Sequence, residues 1–110
     1  MIGTRTGDQV SPEMLHNYFG GLVNRFFKIL PIREEGEDTL PLYMESLQHE
    51  ILGCKEIINE LNNDANIVSL VSILQFMIDN PECPVPDVKR EVFRAINICN
   101  HMKAKYGKAV

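Results

Sequence analysis

Among the residues whose types could do chemistry, Glu45 and His49 stand one helical turn apart and adjoin Glu50 and Cys54. Oxygen, nitrogen and sulfur donors grouped in this way are the kind that hold a transition metal. The set is incomplete, because an H-E-x-x-H site needs a second histidine where this chain has Gly53. Glu56 and Glu60 repeat the one-turn spacing, yet a dinuclear carboxylate site draws a Glu-x-x-His pair from each of two helices, and no such pair occurs. These acids therefore read as a solvated helix face, with no metal and no cofactor expected. Cys54 and Cys99 read as small core hydrophobes and Cys83 as a loop thiol, since no neighbouring residue would activate them as nucleophiles. There is no Gly-rich phosphate loop, G-x-S-x-G elbow or dinucleotide fingerprint. Conventional catalysis is not expected.

Near the C-terminus, Arg94 and His101 form an R-x6-H pair, two helical turns apart and on one face. The spacing resembles the motif of HEPN-type ribonucleases, which are helical bundles that dimerise to bring two such pairs together. The resemblance covers these two residues alone, and the polar residue that commonly follows the arginine is Ala95 here. It implies that Arg94 would stabilise a phosphorane and His101 would move protons during attack of an RNA 2′-hydroxyl on its phosphate. Lys89, Arg90, Arg94, Lys103 and Lys105 together form a basic face that could instead follow a nucleic-acid backbone, releasing a counterion at each contact. No aromatic platform for stacked bases accompanies them. A long acidic face elsewhere in the chain could neutralise them within the molecule.

The charge distribution supports that last possibility. The chain of 110 residues has a formal charge of −4, with residues 1–84 carrying 5 Lys/Arg against 13 Asp/Glu and residues 85–110 carrying 6 against 2. A net negative charge argues against a generic nucleic-acid or anionic-membrane binder. The length supports one core and one domain. Three cysteines without a C-x-x-C pair fit a reducing compartment better than a disulfide framework, so a cytoplasmic location is expected. Apolar runs are too short to cross a bilayer, and no membrane association is expected.

Apolar periodicity supplies the elements that must position all these groups. Ser11-Pro12-Glu13 is a helix start, followed by Leu15, Phe19, Leu22, Phe26 and Ile29 at spacings of four and three until Pro31. An acidic linker, Ile32 to Asp38, leads to a second stripe of Leu40, Met44, Leu47, Ile51, Cys54, Ile58 and Leu61. Gly20-Gly21 and Gly53, each in mid-helix, are expected to mark a close approach of these two backbones. Ala65 to Asp79 is apolar on nearly every side, and after an extended Pro84 to Asp87 the last stripe runs Val88, Val92, Ala95, Cys99, Met102 and Tyr106. Short connections predict an all-α, antiparallel up-down-up-down four-helix bundle over residues 11–107, with residues 1–10 a flexible lead and 108–110 a tail.

Function is expected to lie in binding: a small non-catalytic interaction protein such as an accessory subunit, inhibitor or adaptor. Surplus apolar side chains are expected to form its surface, chiefly Ile67, Leu70, Leu74, Phe76 and Phe93, with Phe27, Ile57 and Ile98 beside them. A homodimer or another protein partner would cover it. The alternative is an RNA-directed bundle, a HEPN-like nuclease or a binder using the basic face.

Overall fold

A computed structural model describes residues 2–5, 7–36 and 38–107. The predicted tail, including Lys108, lies outside them. The chain is mostly helical with one small two-stranded sheet: β1 (Ile2–Gly3), β2 (Gln9–Val10), α1 (Pro12–Phe27), α2 (Ile29–Glu35), α3 (Leu40–Ile57), α4 (Asn59–Asn62), α5 (Ala65–Asp79) and α6 (Val85–Gly107).

Helix α1 begins as its sequence predicts. The Ser11 hydroxyl accepts the Met14 amide at 3.2 Å, Pro12 occupies the first turn, and Leu15, Phe19, Leu22 and Phe26 are buried. Pro31 does not end the helical run; it lies in the first turn of α2, where a missing N–H has no intrahelical acceptor to lose. The acceptor four residues back would be the Phe27 carbonyl, which is where α1 and α2 part. Residues 32–35, expected as linker, are therefore helical, and the reversal comes at Gly36, whose φ of 69° suits glycine.

The second stripe is bent by a partner remote in sequence. Ile2–Gly3 and Gln9–Val10, in the segment expected to be a flexible lead, pair as antiparallel strands with Ile2 opposite Val10. Thr4 then forms a β-bridge with Ile58, and the Arg5 amide donates to the Ile57 carbonyl at 2.7 Å. Ile58 takes an extended conformation (φ −94°, ψ 112°), so α3 stops and the short α4 follows at an angle. Both Ile58 and Leu61 stay buried despite the break, which is why the stripe reads as continuous.

Asp64 caps α5, accepting the Asn66 amide at 2.8 Å, and the helix keeps its predicted limits. Of residues 84–87, expected to be extended, Val85 to Asp87 form the first turn of α6, with the Asp87 and Val88 amides bonded to the Pro84 carbonyl. The six predicted stripe residues of α6 are all buried.

Helix α1 packs most extensively on α6, and α3 on α5. Residues near the start of α1 meet the end of α6, where Phe19 stacks on Tyr106 and the His16 Nδ1–H donates to the Lys103 carbonyl at 2.8 Å. Gln48 is buried between α3 and α5, donating to the Val71 carbonyl at 3.2 Å and to Gln75 at 2.9 Å.

The glycines do not mark a meeting of α1 with α3. A Cβ on Gly20 would touch only the Lys103 side chain at 3.5 Å, and one on Gly21 or Gly53 would meet nothing within 4 Å. Gly21→Ala and Gly53→Ala are therefore expected each to raise the unfolding free energy by about 0.5–1 kcal/mol, through lower backbone entropy of the unfolded chain. Urea denaturation of the two variants measures this, and a loss of stability at either site would mean that its backbone is more crowded than described.

Candidate functional site

Helix α6 carries most of the residues to which the sequence assigns chemistry, and it places them on two flanks. Arg94 and His101 are both exposed on the side toward α5, about 10 Å apart along the axis. Arg94 is already engaged: its Nη1 donates to Glu91 at 2.8 Å, and the Glu91 carboxylate, only 9% exposed, also lies 3.7 Å from Arg90. Arg90 has a second acid in Asp87 at 3.4 Å, and Lys105 lies 3.8 Å from Asp64. The Lys103 stem lies along Gly20, and Lys89 faces outward. Thus three of the five basic-face cations hold acids drawn from α6 itself or from the α5 cap. Among the described residues, no ion pair joins these cations to the acids of α3. Spacing within α6 could have shown this, since Asp87, Glu91, Arg90 and Arg94 follow one another at three- and four-residue intervals.

The apolar surface differs from the predicted one at three positions. Ile67, Leu70 and Leu74 are 2%, 0% and 0% exposed, because α5 is covered from two sides by α3 and α6 and its inner face is core. Phe76 and Phe93 do reach solvent, at 41% and 44% exposure. Phe93 packs edge-to-face on Phe27 of α1, with ring centroids 5.8 Å apart at 85°, and Phe27 is itself 43% exposed. On the other flank of α6, Phe76 and Val68 line a groove with Glu91 and Arg94. Phe27 and Phe93 on one flank, and Phe76 with Arg94 on the other, thus make a band across α1, α6 and α5, with Arg90 one turn before Arg94 on α6.

A polar cluster that the sequence does not reveal joins α1 to α3. Arg25 pairs with Glu50, the Tyr18 hydroxyl donates to Glu50 at 3.4 Å, and the Tyr43 hydroxyl donates to the Arg25 carbonyl at 2.8 Å. Burial, then a hydrogen bond with the Cys54 thiol, pushes the Tyr18 hydroxyl well above its usual range, and burial raises Tyr43 as well. Both phenols thus stay neutral and serve as donors. Glu50 is committed to Arg25, Glu45 and His49 point to solvent, and among the described residues no group of three or more His, Cys, Asp or Glu could hold a metal ion. Nor is any described helix long and apolar enough to cross a membrane. Comparison with known protein families, with curated proteins and with solved structures finds no match to this chain.

Proposed function

We propose that this chain is a small, non-catalytic interaction protein that pairs with a second copy of itself through the aromatic band on α1, α6 and α5. We further propose that its four long helices run alternately up and down. Contacts of α1 start with α6 end, and of the Leu40–Met44 end of α3 with the Met77–Ile78 end of α5, support that arrangement.

The carrying observation is the Phe27–Phe93 pair, which holds two large rings against each other yet leaves both more than 40% exposed. Aromatic and arginine side chains are enriched in the energetic centres of interfaces. An isologous contact needs a patch that complements itself. This band supplies both halves of a cation–π contact, rings and guanidiniums, so a two-fold copy can set Arg90 or Arg94 over a phenyl face.

Sedimentation at micromolar concentration is expected to give a species of twice the 12.5 kDa chain mass. Phe93→Asp, at a position already half in water, is expected to keep its helical spectrum and weaken self-association by about thirtyfold or more. A wild-type monomer at high micromolar concentration, or a Phe93→Asp protein that pairs as well as the wild type, would overturn the proposal.

A further inference from the structure

At the end of the molecule opposite the hairpin, α2 leaves a cavity of about 210 Å³ between itself and the ends of α3, α5 and α6. Its inner wall is apolar and buried, made by Ile29, Leu40, Met44, Met77 and Val88. One cation enters it: Arg33, from the last turn of α2. Arg33 Nη2 donates to the Cys83 carbonyl at 3.1 Å, which ties the guanidinium to the α5–α6 connection and holds it in place. Its Nε–H is shielded from solvent and has no hydrogen-bond partner. No carboxylate among the described residues pairs with it.

A donor buried in this state is costly, and the charge of the Arg33 guanidinium is offset by no acid among the described residues beside it. A guanidinium edge offers parallel N–H groups matched to the two oxygens of a carboxylate. The inner wall that accompanies Arg33 is apolar, so a fitting occupant carries a carboxylate at one end and hydrocarbon at the other. The volume is below the roughly 300–1,000 Å³ typical of larger ligands, and it corresponds to about seven waters at roughly 30 Å³ each. Exposed Gly36 and Pro81 border the cavity and mark its mouth.

We infer that this cavity is a binding site for a small aliphatic monocarboxylate, its carboxylate on Arg33 and its chain against Met44, Met77 and Val88. The site is separate from the aromatic band, so neither proposal depends on the other.

The test uses the full chain with ¹³C-methyl methionine and two probes of equal length, hexanoate and hexanamide. Hexanoate is expected to shift the Met44 and Met77 methyl signals with a dissociation constant on the order of a millimolar, as suits so few atoms. Met14, which is 60% exposed, and Met102, buried elsewhere in the core, should not move. Hexanamide is expected to bind at least tenfold more weakly, and inorganic phosphate, which lacks a chain, should leave both methyls unmoved. Arg33→Met keeps the apolar stem and should lose the preference for acid over amide. Equal shifts from acid and amide in the wild-type protein would overturn the inference, as would no response at Met44 and Met77, or undiminished hexanoate binding by Arg33→Met. The wild-type comparison of acid with amide decides the matter even if that variant does not fold.

Discussion

Phe19→Ala is expected to lower the unfolding free energy by about 3–5 kcal/mol. The Phe19 ring is fully buried, stacks on Tyr106 at 6.0 Å and 6°, and meets the edge of Tyr18 at 5.5 Å and 72°. Together with His16, it holds the start of α1 to the end of α6. Its removal costs the transfer energy of the ring, the void left behind, and pair terms of about 0.5–1.5 kcal/mol for each aromatic neighbour. A domain of this size has about 5–15 kcal/mol in total, so roughly a fifth or more is lost. The thermal midpoint should fall by roughly 10–20 °C, at about 4 °C per kcal/mol. Phe19→Leu, which retains most of the volume, should cost only about 1–2 kcal/mol. Parallel thermal and urea unfolding of the two variants is the check, and equal losses would mean that the void plays no part.

Stability should also decline steeply in alkali. Burial pushes the Cys99 thiol from 9.0 up to about 12. Burial first, then the negative charges of Glu60 and Asp64, pushes the Tyr106 hydroxyl from 10.0 up to about 12. Both groups hold their protons more tightly when folded, so between their ordinary and raised values the unfolded chain binds fewer protons than the native one. Stability is then complete below the ordinary values and is lost as pH rises through the raised ones. Thermal midpoints across a series of alkaline buffers should be level to about pH 9 and fall beyond it. A level profile to about pH 11 would contradict the burial of both groups. The same burial makes a chemical prediction: near pH 8 the Cys99 thiolate is about a thousandfold scarcer than in the unfolded chain. Iodoacetamide should label half-buried Cys54 and Cys83 in the native protein and reach Cys99 only in urea. Native labelling of Cys99 at the rate of Cys83 would refute it.

The parts of this fold that were legible in the sequence are those decided within one turn of the chain. Ser11 and Asp64 announce their helices because a cap is a contact with the second or third residue onward, and α5 keeps both of its predicted ends. The stripe of α6 was readable for the same reason. The break at Ile58 was not, since its cause is the amide of Arg5, and nothing near Ile58 differs from an ordinary heptad position. Pro31 misled in the opposite direction: a proline that stops one helix can equally open the next. At the candidate site, Phe93 and Phe27 stand out because each falls off a narrow apolar stripe, and Phe76 because Ala65 to Asp79 holds more apolar residues than one stripe needs. Ile67, Leu70 and Leu74 were assigned to the same surface because the number of helices covering α5 is a property of the assembled fold. Arg33 and its cavity left no trace in the sequence, for the acceptor that holds the guanidinium is fifty residues away in Cys83.

The hairpin that clasps Ile57 and Ile58 bears on the order in which the molecule assembles. Its side-chain tie, from Asn59 to the Thr4 carbonyl, spans 55 positions. Closing so long a loop is entropically unfavourable until the intervening helices have shortened the path. The helical stripes can pair earlier, since most of their hydrogen bonds are local. Residues 2–5 should then dock after α1 and α3 have formed, and the elbow between α3 and α4 should remain a pliant joint until the first residues of the chain lock it.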